Sequence, residues 1–171
     1  MRLAARLARR CHWFVETVEP RRLLAAVAWD GGGDGIHWSD PANWSGNQLP
    51  AIDDDVSINV AGSPTIIVDT AVQVASLVSN ERLSLVLAQM IVHGSATFND
   101  TVAVAGNQFL WVEGALSLNA TLSLGDASAA TSGALYMAGA SAQMIEGSGR
   151  IDINHLGLIY NYGFDAVLGI G

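Results

Sequence analysis

The chain has 171 residues, 50% of them apolar and only 14% charged, which is long enough for one domain with a sizeable core. All eight basic residues are arginine, so the composition argues against helices with a lysine-rich wet face and for β structure built from small and branched residues. Residues 1–28 hold six arginines against Glu16 and Glu19, a net +4, while residues 29–171 hold two arginines against fourteen acids, a net −12; a body this acidic repels phosphate and argues against nucleic acid as a partner.

Residues 1–28 read as a targeting segment. The start is basic, Leu23-Leu24-Ala25-Ala26-Val27-Ala28 is a short apolar stretch, and Ala26-Val27-Ala28 satisfies an A-x-A cleavage pattern before Trp29. The competing reading is a short amphipathic helix with Leu3, Leu7 and Trp13-Phe14 on one face. No stretch reaches the roughly 18 apolar residues of a membrane span. Cys11 is the single cysteine, which excludes an intramolecular disulfide.

Residues 29–55 form a Trp/Gly/Asp-rich block. Trp29-Asp30-Gly31-Gly32-Gly33-Asp34-Gly35 runs on through Trp38-Ser39-Asp40-Pro41-Ala42-Asn43-Trp44 to Pro50. From Val56 to Gly171 short strands recur. Leu83 to Leu87, Ala115-Leu116-Ser117-Leu118, Thr121-Leu122-Ser123-Leu124, Ala134-Leu135-Tyr136-Met137 and Arg150-Ile151-Asp152-Ile153 alternate with period 2, which puts Leu and Ile on one face and Ser, Thr or Asp on the other. Turn signals close these runs at His93-Gly94, Asn99-Asp100, Glu113-Gly114, Leu124-Gly125-Asp126 and Glu146 to Gly149. Gly94, Gly114 and Gly133 suggest a loose period near ~20, the length of one rung of a parallel β-helix. The fold expected is therefore all-β, a parallel β-helix (β-solenoid) whose first coil is capped by the Trp-rich block. The alternative is a β-sandwich, against which stands the lack of Asn-Gly or Asp-Gly hairpin signals after Asp34-Gly35.

Two stretches resemble known families. Val18-Glu19-Pro20-Arg21-Arg22-Leu23-Leu24 is similar to the L-E-P-R-x-L-L motif near the N-terminus of many exported proteins of planctomycetes and related bacteria, with Val18 in place of Leu. The resemblance implies that Glu19, Pro20, Arg21, Leu23 and Leu24 belong to a sorting or export signal ahead of repetitive β-rich surface domains. The segment Trp29 to Pro50 resembles the W-x-G-x-G-D-G-x-W-x-D-P-x-N-W head of autotransporter-like secreted β-helix regions, which implies a right-handed β-helix and is silent about chemistry.

Candidate chemistry is sparse. Trp29, Trp38 and Trp44 have two readings: a hydrophobic cap over an open β edge, or an exposed platform for sugar rings. Gly31 to Gly35 partly resembles a G-G-x-G-x-D calcium repeat but occurs once, and Asp53-Asp54-Asp55 could offer carboxylates to calcium, although consecutive strand residues point to opposite faces. His37, His93 and His155 lack metal-ligand spacing. Asp100, Asp126, Asp152, Arg82 and Arg150 stand singly, a poor start for the grooved clusters of β-helix polysaccharide lyases and hydrolases. Asn43, Asn99 and Asn119 match the N-glycosylation pattern, which a bacterial origin would make irrelevant. No catalytic constellation and no cofactor motif emerges. The function expected is a non-enzymatic, adhesin-like scaffold at the cell surface or outside the cell, with polysaccharide or other surface proteins as partners. The alternative is a carbohydrate-active β-helix protein.

Overall fold

The computed structural model describes residues 26–125, 131–139, 144–154, 158–161 and 167–168. In chain order the strands are β1 (Ala26–Trp29), β2 (Asp55–Ile58), β3 (Thr65–Val68), β4 (Val72–Val74), β5 (Ser76–Ser79) and β6 (Arg82–Leu85). Then come β7 (Met90–Val92), β8 (Ala96–Phe98), β9 (Val102–Val104), β10 (Phe109–Val112), β11 (Leu116–Leu118) and β12 (Thr121–Leu124). The last are β13 (Ala134–Met137), β14 (Met144–Glu146), β15 (Arg150–Ile153), β16 (Leu158–Asn161) and β17 (Val167–Leu168). Two 3-10 turns, Pro41–Asn43 and Ser45–Asn47, lie between β1 and β2.

From β2 onward successive strands visit three sheets in turn. The first sheet is ordered β1-β2-β5-β8-β11-β14-β17, the second β15-β12-β9-β6-β3 and the third β16-β13-β10-β7-β4. Neighbours within each sheet run parallel, so the antiparallel ladder that a β-sandwich requires is not what these strands form. Equivalent positions recur after about one turn: Asp55 meets Ser76 21 residues on, Asn80 meets Asn99 19 on, and Asn99 meets Asn119 20 on.

The alternation seen in the sequence builds one core. Leu116, Leu122, Leu124 and Leu135 are fully buried and Leu118 and Met137 nearly so, each inside a column of buried residues such as Val68, Leu85, Val104 and Leu124. Each buried Leu or Val contributes roughly 1.5–3 kcal/mol of transfer free energy, the dominant favourable term in so uncharged a domain. Ser117 and Ser123, between them, face outward and are half-buried.

Three expectations are corrected. The run Leu83 to Leu87 does not continue inward: the strand ends at Leu85, Leu87 is 77% exposed, and Ala88 takes the interior position after the bend. Ile153 is 52% exposed and Ile151 only partly buried, because β15 is the terminal strand of its sheet and no described strand packs beyond it. Gly114 does stack on Gly94, whose carbonyl it approaches so closely that an added Cβ would lie 2.6 Å from that oxygen. Gly133 instead abuts Gly125 and the Val104 carbonyl at a different bend, so the Gly114 to Gly133 spacing is not a stacking repeat.

Polar residues enter the interior at one corner. Ser79 occupies an inward position in the column Ile58, Ser79, Phe98, Leu118, and its Oγ donates to the Glu81 carbonyl at 2.8 Å. Glu81 is 3% exposed; its Oε1 accepts from Val60 N at 3.0 Å, while Oε2 has no hydrogen-bond partner.

Candidate functional site

The Trp-rich block folds over the first coil. Trp29, Trp38 and Trp44 are 3%, 1% and 0% exposed. Trp44 lies between the others, edge-to-face with Trp29 at 4.9 Å and with Trp38 at 4.5 Å between ring centroids. Its Nε1 donates to the Trp38 carbonyl at 2.9 Å, which satisfies the indole inside an apolar cluster. Three indoles packed this way present no open face to a sugar ring.

The glycines and acids around them tie the loop to itself. Asn43 is fully buried and its side chain is the hub: Oδ1 accepts from Gly33 N at 3.0 Å and Gly35 N at 2.8 Å, and Nδ2 donates to Asp34 Oδ1 at 2.9 Å and to the His37 carbonyl at 3.0 Å. Gly35 adopts φ +69°, which glycine takes without a Cβ penalty. Asp34 Oδ1 also accepts from Ile36 N and His37 N, at 2.8 and 3.0 Å. Asp40 caps the first 3-10 turn, accepting from Ala42 N at 3.0 Å, and its other oxygen accepts from Asp34 N. The His37 backbone N–H, the Asn43 amide, the His37 ring and the Ile36 N–H together hold the Asp34 carboxyl well below the usual carboxylate range. The hydrogen bond to Asp34 raises the His37 imidazole above its ordinary value.

This loop also covers strand edges. Trp38 N donates to the Ile67 carbonyl and Ile67 N to the Ile36 carbonyl, a parallel bridge along the outer edge of β3. Ser39 N and Oγ both donate to Asp69, just after β3. β1 adds a strand to the first sheet beside β2, so Ala26-Val27-Ala28, read above as a cleavage pattern, lies inside a paired strand. The sorting-motif residues Glu19, Pro20, Arg21, Leu23 and Leu24, with Cys11, Asp126 and His155, lie outside the described residues.

The carboxylates considered for calcium go separate ways. Asp54 Oδ2 accepts from Ala51 N at 2.7 Å, and Asp55 accepts from Ser76 Oγ. Among the described residues no three His, Cys, Asp or Glu side chains are grouped to hold a metal ion. Arg82 and Arg150 share one outward column with Thr65, Thr101 and Thr121 on the second sheet, each beside an acid: Arg82 4.0 Å from Asp100, Arg150 2.9 Å from Asp152. Next to that column a shallow groove of about 360 Å³ is lined by Ser84, Ala103, Ser123 and Asn154.

Three further clusters escaped the sequence reading. His93 joins successive turns, its Nδ1 3.0 Å from Glu113 Oε2 and its Nε2 3.2 Å from Gln73 Oε1. Asn80, Asn99 and Asn119 form a ladder of amides at 2.6 and 2.7 Å; Asn99 and Asn119, with the fully buried Asn43, are the three that match the glycosylation pattern. On the outer face of the third sheet Trp111, Tyr136 and Tyr160 stack in register, with centroids 5.4 and 4.8 Å apart and planes within 29° and 7°, and Phe109 packs edge-on against Tyr136. Each cluster joins residues of successive turns, so it becomes visible once the register is known. No helix among the described residues is long and apolar enough to cross a membrane. No protein-family model, curated protein or solved structure matches the chain.

Proposed function

We propose that the chain is a capped, right-handed parallel β-solenoid that serves as a non-enzymatic scaffold, exported to the cell surface or the surrounding medium and adhesin-like in its contacts with polysaccharide or other surface proteins. The observation that carries this reading is the engagement of the acids. Asp34, Asp40, Asp54, Asp55 and Asp69 accept from backbone or hydroxyl donors, and Arg82 and Arg150 stand beside Asp100 and Asp152. Hydrolysis or elimination on a glycan needs an acid and a base free to act on one bond, and each of these acids is held by a donor of the chain itself or stands beside an arginine. The Trp-rich block lies along the outer edges of β1 and β3, which blunts them against edge pairing. The arginine-rich start and the resemblance of Val18 to Leu24 to an export motif support secretion, with processing upstream of β1 so that this strand survives.

Fractionation of cells producing the full chain tests the reading. Recovery of a processed form outside the cell or on its surface, inert toward a panel of polysaccharides by reducing-end assay, is the expected result. Retention in the cytoplasm with Met1 intact, or release of new sugar ends, overturns it. A second reading, glycan binding, is favoured by the outward Trp111, Tyr136, Tyr160 row. Those rings stack upon one another, which leaves edges and hydroxyls rather than faces for a ligand. Loss of glycan affinity in Trp111→Ala, with the fold intact, would establish it.

A further inference from the structure

The loop over the N-terminal end touches the edge of β3 through Ile36 and Trp38, the two residues that flank His37. The imidazole Nδ1 lies 2.6 Å from Asp34 Oδ2, and the other oxygen of that carboxylate receives the Ile36 and His37 backbone N–H groups. The position of the bridging backbone is thus set by Asp34, and His37 is the titratable partner on Asp34. The charged groups facing the ring are Asp34 from its own loop, Asp40 at the start of the first 3-10 turn and Asp69 at the end of β3; all three are acids. Both members of the pair are partly exposed, 44% and 43%, so protons exchange with solvent without unfolding.

We propose that the Asp34–His37 pair is a pH-sensitive latch that holds the capping loop on the edge of β3 when His37 is protonated and lets it open more often when the proton leaves. The sign follows from linkage. His37 binds its proton more tightly in the folded loop than in the open one, so the latch is complete below the ordinary histidine value of 6.5 and is lost as pH rises through the raised one. Asp34 remains ionised down to well below the usual carboxylate range, so the ion pair spans the interval between the two titrations.

Amide hydrogen exchange of Trp38 and Ile67 in the full chain, corrected for intrinsic rates, reads the opening directly, with Leu110 in the third sheet as the internal control. The opening constant at Trp38 and Ile67 is expected to rise roughly two- to tenfold between about pH 6 and pH 9, with a midpoint matching the titration of the His37 ring by NMR. In His37→Gln, which keeps a donor without a titrating charge, the step should vanish while Leu110 protection is unchanged. A wild-type profile with no step, a midpoint that follows another group, or an equal step in His37→Gln overturns the latch. If His37→Gln does not fold, the coincidence or divergence of the two wild-type midpoints decides.

Discussion

The two described ends of the stack are built from the same kinds of residue and meet different surroundings. At the N-terminal end Ile58, Ile66 and Val68, in the first coil, are fully buried, because the indoles, β1 and the bridge from Ile36 to Trp38 lie over them. At the other end Ile153 continues the column of Val68, Leu85, Val104 and Leu124 and is 52% exposed, and Ile159, which pairs with the fully buried Leu135, is 42% exposed. An inward-pointing side chain at an end of the stack is buried only when further chain, a coil or a capping loop, lies over it. In a stack, burial belongs to a residue's neighbours one turn away as much as to its own alternation.

Substitutions at matched positions can break this comparison. The largest effect is expected from Leu124→Asp, which places an unpaired carboxylate among buried side chains and should cost several kcal/mol, enough to prevent folding, as judged by loss of cooperative urea unfolding. Ile153→Asp, one rung on in the same column, should cost far less, since water already reaches that position. Equal loss from both would show that the terminal rung is covered in solution.

Trp44→Ala comes next. It removes a fully buried indole and its bond to the Trp38 carbonyl, for about 3–5 kcal/mol by denaturant titration, with a red shift of the remaining cap fluorescence. A variant with unchanged stability would remove the cap from the list of stabilising features.

Asn43→Ala strands the Gly33 and Gly35 N–H groups and should cost roughly 2–4 kcal/mol. Asn99→Ala breaks the exposed amide ladder, where water replaces the lost partner, and should cost about 1 kcal/mol or less. Ser123→Ala, which removes the outer-face hydroxyl that accepts from Asn154 Nδ2, marks the small end of the scale at about half a kcal/mol. If Asn99→Ala proves as costly as Asn43→Ala, the ladder holds the turns together more firmly than its exposure implies.

Much of the fold was legible in short stretches. Period-2 alternation placed Leu116, Leu118, Leu122, Leu124, Leu135 and Met137 inside, and the Gly94 to Gly114 spacing found two glycines that do stack. The same rule failed at Leu87 and Ile153. In the first case a bend interrupts the strand; in the second the alternation is intact but no described strand lies beyond β15 to cover the residue. The candidate site was legible as a cluster of types, Trp with Gly and Asp, without its internal wiring.

What the amino-acid order determined by itself is therefore local: strand-forming alternation, turns at Gly, Asn and Asp, and the absence of any sustained helical pattern after residue 28. Tertiary structure decided everything that depends on register between turns, whose paired residues lie 17 (Thr65 and Arg82) to 29 (Thr121 and Arg150) positions apart. It made Asn43 the hub of the cap, brought His93 between Glu113 and Gln73, and stacked Trp111, Tyr136 and Tyr160. It also admitted Ser79 and Glu81 to the interior. The reason is physical: pleating is a property of one strand, whereas register is chosen by the summed packing and hydrogen bonding of whole coils, which no single window of sequence contains.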